Sequence, residues 1–406
     1  ELEALDALAR GSIIYGNASA ATATLTKGDA DQVLTSDGTD IAWADAAGGG
    51  EGRMNVARNP HMRFNQRLTS YTGLDGSAQV RTLDGWQWSW GASGQSARWT
   101  ISQENDGGVG GGNNWLKMIC TTADASPGAS DYSLIVQSLE GQQISSLLVA
   151  NGIGIVTISF DVIAFAHGSS NISFPAKAAV TIASIDGTER FVSKTFTIAS
   201  ASTWERVDIT YVADTTVEFA NDNTTGLYIY FVADAGANAN VATEGTWQST
   251  TDYSVAGADD WADYAGNYLG FTNLDIHAGA ARPMVGVSYN QDLTDCERYV
   301  ESYDPLSAAS SHALGQGSST TVTKVPYRFR TKKRAVPTLT ATAAAYAVII
   351  GSGGGYQCSA LSMAVATVHD CRLDATIGSA AGTVGDAQQF ISEAGQTGTL
   401  YFEAEL

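Results

Sequence analysis

The residues best suited to chemistry lie in one stretch, 234–267. It holds Asp252, Asp259, Asp260 and Asp263 among Trp247, Tyr253, Trp261 and Tyr264. Sugar recognition uses this mix. Aromatic rings stack on the apolar face of a pyranose, and carboxylates accept protons from its hydroxyls. Trp247, Asp252, Tyr253, Asp259, Asp260, Trp261 and Tyr264 are therefore the glycan-contact candidates. Cleaving a polysaccharide would need two carboxylates about 5–10 Å apart, a separation that spacing along the chain does not set. The same composition fits a loop that folds back on its own sheet or meets a neighbouring subunit, and that reading is weighed first. Catalysis is weighed last, and no catalytic residue is assigned. Hard cations such as Ca2+ take oxygen ligands, but the carboxylates lack EF-hand spacing, so no metal site is assigned.

Other chemistry is thinner. No Gly-x-Ser-x-Gly sits between a strand and a helix, and there is no Walker A or His-Glu-x-x-His run. His61, His167, His277, His312 and His369 are scattered singletons, read as structural or surface groups. Cys120, Cys296, Cys358 and Cys371 show no zinc spacing. Reduced, partly buried thiols are the plain reading, and a Cys358–Cys371 disulfide across a hairpin is the alternative. Trp86, Trp88 and Trp90 alternate, so they share one face of a strand. They are core, a covered sheet face, or a stacking platform for sugars. Residues 324–334 hold six of the chain's 22 Lys and Arg. That basic strand is a solvated face, a partner for acidic surface on another subunit, or a binder of phosphate or acidic sugars.

These residues need strands to position them. Runs of five to eight Val, Ile, Thr, Tyr and Trp recur between Gly, Asn, Asp and Ser clusters, which is the pattern of an all-β protein. About ten such runs lie in residues 53–303, enough for a two-sheet jelly-roll sandwich. Met62 and Phe64 alternate with Arg63 and Asn65, as a half-buried strand would. Residues 304–406 read as a second, β-sandwich-like tip domain. Residues 1–52 form a short stalk. Glu1–Arg10 is amphipathic but too short to hold a helix alone. A hairpin surrounds the Asp37-Gly38 turn, and Gly48–Gly52 is a linker. So small a module needs copies of itself to bury its apolar faces.

Composition sets the outer bounds. The chain has 406 residues and a net charge of −20, with a pI near 4.4. The basic footprint of a nucleic-acid binder is missing, and so is a membrane-seeking basic helix. No apolar run approaches the roughly 18–20 residues of a bilayer span, and no signal peptide is recognised. The first residue is Glu, consistent with truncation or processing ahead of it.

Two resemblances carry the functional expectation. Gly11-Ser-Ile-Ile-Tyr-Gly-Asn17 and Asp31-Gln-Val-Leu-Thr-Ser-Asp-Gly-Thr-Asp-Ile-Ala-Trp43 resemble the repeated stalk segments of tailed-bacteriophage fibre proteins. Asn59-Pro60 with Gln66-Arg67, then Asp84-Gly85-Trp86, resembles the opening of a carbohydrate-binding-type jelly roll in phage appendage proteins. Asn65 departs from that pattern, which favours an aromatic there. Cys296-Glu-Arg-Tyr299 is similar to the run that closes the same module, and Arg334–Thr338 and Glu403–Leu406 to the C-terminal domain of such fibres. The resemblance implies a virion protein assembled in the host cytoplasm. It implies a homotrimer joined to other virion proteins through its N-terminal end. It also implies attachment to host-surface polysaccharide or lipopolysaccharide, with no nucleic acid, no membrane insertion and no cofactor. A purely structural head, neck or tail fibre is the first rival, and a capsule depolymerase the second.

The closing run is the one helix expected among the strands. Leu293, Cys296, Tyr299, Val300 and Tyr303 recur at spacings of three and four, so they share a helical face. Asp292, Asp295, Glu297 and Arg298 fill the other. Its apolar face is expected to clasp the sandwich and its exit at Asp304-Pro305 to aim the tip.

Overall fold

The strand Ile155–Phe165 shows why this chain folds as sheets. Val156, Ile158, Phe160, Val162 and Ala164 all point one way, and all are buried. Alternation of this kind gives a strand one face to hide. Phe160 lies at the centre, with its ring 5.0–5.9 Å from those of Phe196, Phe231 and Phe271.

The computed structural model describes residues 8–19, 21–29, 32–36, 39–45, 55–75, 79–91, 96–105, 114–148, 155–212, 214, 220–241, 243–303, 311–350, 355–379, 381–392 and 398–406. Two compact units divide at Met54 and Asn55. The amphipathic run Glu1–Arg10, the Asp37-Gly38 turn, the Gly48–Gly52 linker and the Asp304-Pro305 exit lie largely or wholly outside these residues.

The N-terminal unit contains two antiparallel hairpins. Ile13–Gly16 pairs with Thr22–Leu25, and Gln32–Ser36 with Ile41–Asp45. Among the side chains described in this unit, none is buried.

The second unit opens with a sandwich of two six-stranded antiparallel sheets. The first runs Arg190–Ile198, Ala176–Ser184, Thr225–Ala235, Tyr132–Glu140, Trp86–Gly91, Val80–Arg81. The second runs Glu205–Val212, Ile155–Phe165, Tyr268–Ala278, Trp115–Thr122, Arg98–Glu104, Ser70–Leu74. The chain passes back and forth between the sheets, as in a jelly roll. Trp86 and Trp88 point between them and are buried, so they are core and not a platform. The side chain of Trp90 is outside the described residues.

Residues beyond the sandwich close differently from the sandwich-like expectation. Six strands form a closed barrel: Ser311–Gly317, Val322–Arg328, Asp370–Ile377, Gly355–Ala366, Tyr346–Ile350 and Ala387–Ser392. Val325, Tyr327 and Leu373 fill its interior. Cys358 and Cys371 are buried and form no disulfide. Cys358 sits opposite Ile377 and Cys371 opposite Ala366, too far apart along the ladder to bridge. The disulfide alternative is therefore withdrawn.

Two local expectations need correction. Met62 and Phe64 are not on a strand. Asn59 and Met62 take left-handed backbone angles, with φ of 48° and 54°. The Asn59 amide holds this loop, donating to Phe64 O (2.7 Å) and Asp84 O (3.1 Å) while its oxygen accepts from Phe64 N. The closing helix is also shorter than its apolar spacing implies. It spans Tyr289–Glu297, capped by the Ser288 hydroxyl. Val300–Tyr303 is a strand paired with Leu400–Glu403. β-Branched Val300 and the waiting edge of that strand outweigh the helical spacing. Asp292 and Glu297, expected on the solvent face, are buried.

The clasp itself is largely polar. Gln66 donates to Asp84 Oδ2 and Val300 O, both at 2.9 Å, and accepts from Ser302 N. Arg67 donates to Glu403 at 2.7 Å and Glu405 at 2.9 Å. The Arg58 guanidinium lies 3.9 Å from the Tyr299 ring centre. Arg298 grips Glu140 with two hydrogen bonds, and Tyr299 donates its hydroxyl to the same carboxylate. Burial alone would raise Glu405, but Arg67, Arg58 and Arg81 together pull it down to about 2.

Asp292 supplies the opposite case. Burial raises its carboxyl from 3.8 to about 7, against the pull of Arg63. The folded state therefore holds a proton that the unfolded chain releases. This contribution to stability is complete below about pH 3.8 and is lost as pH rises through about 7. Asp292→Asn should remove that loss, giving a smaller fall in the urea midpoint between pH 4 and 7.5 than the wild type shows.

Candidate glycan-contact site

The loop singled out by its acids and rings is built into the sandwich. Asp259 accepts from Lys177 N at 2.6 Å and Asp260 from Ala262 N at 2.8 Å. Asp252 accepts from the Thr250 hydroxyl at 2.5 Å. Asp263 accepts from the Ser170 hydroxyl, Asn171 N and the Asn267 amide. Trp261 has no exposed surface and donates from Nε1 to Lys177 O. Neither face of its ring is open to a sugar, which corrects its place among the candidates. Trp247 is half-buried against the sandwich core and donates to Val212 O at 2.6 Å. Tyr264 stacks on His167 at 4.3 Å. The carboxylates thus serve as anchors for the loop. Burial still raises Asp260 to about 6, and Asp234 is its hydrogen-bond partner. Among the described residues, no three His, Cys, Asp or Glu side chains converge as a metal site requires.

Tyr253 is the loop residue that joins something larger. On the outer face of the first sheet it packs against Tyr132 (4.2 Å between ring centres), Tyr230 (5.2 Å) and Phe191 (6.0 Å). Tyr228 continues the row 5.6 Å from Tyr230. Tyr132, Tyr228 and Tyr253 are half-buried, whereas Tyr230 and Phe191 are buried beneath them.

The strands explain this arrangement. Along Thr225–Ala235, Leu227, Ile229 and Phe231 face the core while Tyr228, Tyr230 and Val232 face out. In the neighbouring strand Ala183 stands opposite Tyr228 and Thr181 opposite Tyr230, so the floor beside the rings stays low. Gly91 opens the other flank. A Cβ there would come 1.8 Å from Tyr132 Cε1. Exposed Glu189 is close enough to act electrostatically on both Tyr230 and Tyr253. Burial pushes the hydroxyls of Tyr230 and Tyr253 upward, so both stay protonated at neutral pH. The face thus offers ring surface, hydroxyl donors and one carboxylate acceptor.

No family model matches the chain, and no curated protein matches it. Among solved structures, the enzymatically active domain of tailspike protein 4 from bacteriophage CBA120 matches at 11% identity and a TM-score of 0.27. That match covers 53% of this chain but only 22% of the tailspike domain. A family 30 carbohydrate-binding module of a Clostridium thermocellum cellulosomal cellulase matches at 8% identity and a TM-score of 0.26, covering 54% of this chain and 97% of the module. A CBM4 structure matches at 13% and 0.24, over 48% of this chain and 87% of its own. At such values, what this chain binds must be read from its own side chains.

Tyr132, Tyr228, Tyr230 and Glu189 were missed in the sequence. The signal was present, since the strand with Tyr228 and Tyr230 is apolar on both faces, and a strand with one wet face should alternate with polar residues. The basic strand resolves differently. Arg330 pairs with Glu297 and Glu301, buried Lys333 pairs with Glu301 at 2.7 Å, and Arg334 donates to Ala404 O and Glu405 O. Lys333 alone of the six is buried, and Arg330 makes its pairs from an exposed position. Trp261→Ala should cost about 3–5 kcal/mol of stability, read from chemical unfolding, because the ring serves the core.

Proposed function

We propose that this chain is an attachment fibre of a tailed bacteriophage, a virion protein that holds host-surface polysaccharide or lipopolysaccharide on the tyrosine face of its sandwich. The observation that carries the reading is the outward row Tyr132, Tyr253, Tyr230 and Tyr228 beside Glu189. The sheet carries three phenols, half-buried Tyr132 and Tyr228 and buried Tyr230, and the loop adds Tyr253. Their rings suit the apolar side of a sugar, and their hydroxyls suit its edges. The phage assignment rests on the stalk and jelly-roll resemblances in the sequence. The proposal assigns no reaction to the chain, since Asp252, Asp259, Asp260 and Asp263 are spent on holding their loop.

The N-terminal hairpins support assembly as a trimer. A two-stranded hairpin is marginal alone in water, and here Ile14, Val33 and Leu34 are each 43% exposed. Further copies of the chain would cover them, with the N-terminal end meeting other virion proteins. Several weak contacts would then sum by multivalency. Sedimentation at micromolar concentration should give three times the 42.4 kDa chain mass, and a monomer would count against assembly.

Glycan binding has its own test. A glycan array probed with wild type should light up for host envelope sugars. The pair Tyr228→Ala and Tyr253→Ala should weaken that signal about tenfold or more, at roughly 0.5–1.5 kcal/mol per ring. An unchanged signal, or unchanged host adsorption, would favour the purely structural fibre.

A further inference from the structure

A second outward face carries rings that the tyrosine row does not use. On the outer side of the second sheet, Phe165, Tyr268 and Trp204 are half-buried, with Trp115 packed among them. Phe165 and Tyr268 stack at 5.7 Å and 19°. Trp115 lies 6.2 Å from Tyr268 and meets Trp204 edge-on at 5.6 Å. Gly270 makes room for this, because a Cβ there would come 2.4 Å from Trp115 Cζ3.

One cation stands among these rings. The Lys117 ammonium is 4.6 Å from the Tyr268 ring centre and 5.8 Å from that of Trp115. Its cross-strand neighbours are Ser102 and Gly270. Glu104, two pairs along and opposite Trp115, accepts the Ser102 hydroxyl at 2.6 Å. Among the described residues no carboxylate forms an ion pair with Lys117, although the chain carries 42 Asp and Glu against 22 Lys and Arg. A cation over aromatic faces is stabilised there by the rings and still presents its charge to an anion. The occupant is argued from local charge, since the Lys117 ammonium over Tyr268 and Trp115 suits an anionic group set against a flat apolar face.

We propose that this face is a second saccharide site, selective for acidic sugars. The apolar side of a uronic or sialic acid residue would rest against Tyr268 and Trp204, and its carboxylate would meet the Lys117 ammonium. The proposal rests on the chain being a glycan binder, but its residues are separate from the tyrosine row.

Calorimetric titration of the full chain with tetragalacturonate, its methyl ester and a sialylated oligosaccharide separates the two sites. The expected result is tighter binding of at least one acidic ligand than of the uncharged ester. Lys117→Gln should weaken acidic binding about tenfold and leave binding of neutral envelope sugars unchanged, whereas Lys117→Arg should largely keep acidic binding. Matching near-UV circular dichroism for the variants would exclude a folding effect. Failure of every acidic ligand to bind, equal affinity for acid and ester, or an indifferent Lys117→Gln would each overturn the proposal. A fall in sedimented mass in Lys117→Gln would also overturn it, since the face would then be a contact between copies. If neutral envelope sugars still bind and depend on Tyr228, the first site stands while the second falls.

Discussion

A guanidinium taken out of water must find carboxylates, or the fold that buries it fails. Arg67 sets that constraint here. It sits in the opening run of the sandwich and is almost wholly enclosed, and its partners Glu403 and Glu405 come from the far end of the described chain. Arg58 and Arg81 reach the same end, through Glu405 and Leu406 O. Asp84 and Ser138 O of the sandwich meet only part of this charge, and the C-terminal carboxylates meet the rest. Sandwich and barrel are thereby one cooperative unit in energetic terms, whatever boundary the sequence implies between them. Lys333, buried on Glu301, extends the same logic beyond the sandwich, with exposed Arg330 pairing to the same carboxylate.

The all-β class and the main strands were legible because alternation is a strong signal where one face of a sheet is hidden. Val156 to Ala164 is the clearest case. The pairing of Asn59–Arg67 with the closing run could also be read, but only as two ends of one module. Its physical content was not visible, since the sequence shows apolar spacing around Tyr299 while the structure uses charge and hydrogen bonds. The helix was overextended for the same reason. Spacing at three and four is satisfied by Val300, yet pairing with Leu400–Glu403 claims that residue for a strand.

The binding face was the least legible part. Acids beside aromatics mark both a sugar site and a loop that anchors itself, and Asp259, Asp260 and Trp261 turned out to be anchors. Tyr253 is recruited into a row supplied mostly by strands, which no local window contains. Only the two-faced apolarity of Thr225–Ala235 hinted at it, and rings that meet in the row lie up to 121 residues apart in sequence, as with Tyr132 and Tyr253.

Strand Val300–Tyr303 pairs directly with Leu400–Glu403, and this adjacency has an evolutionary consequence. The polypeptide between them departs and returns at one doorway. Such an excursion can be lengthened, shortened or exchanged for another module while the hinge chemistry at Arg67 and Gln66 stays in place. Variation could concentrate in the barrel strands, provided that Lys333 and Arg334, which bond back to Glu301 and Asn223, are kept.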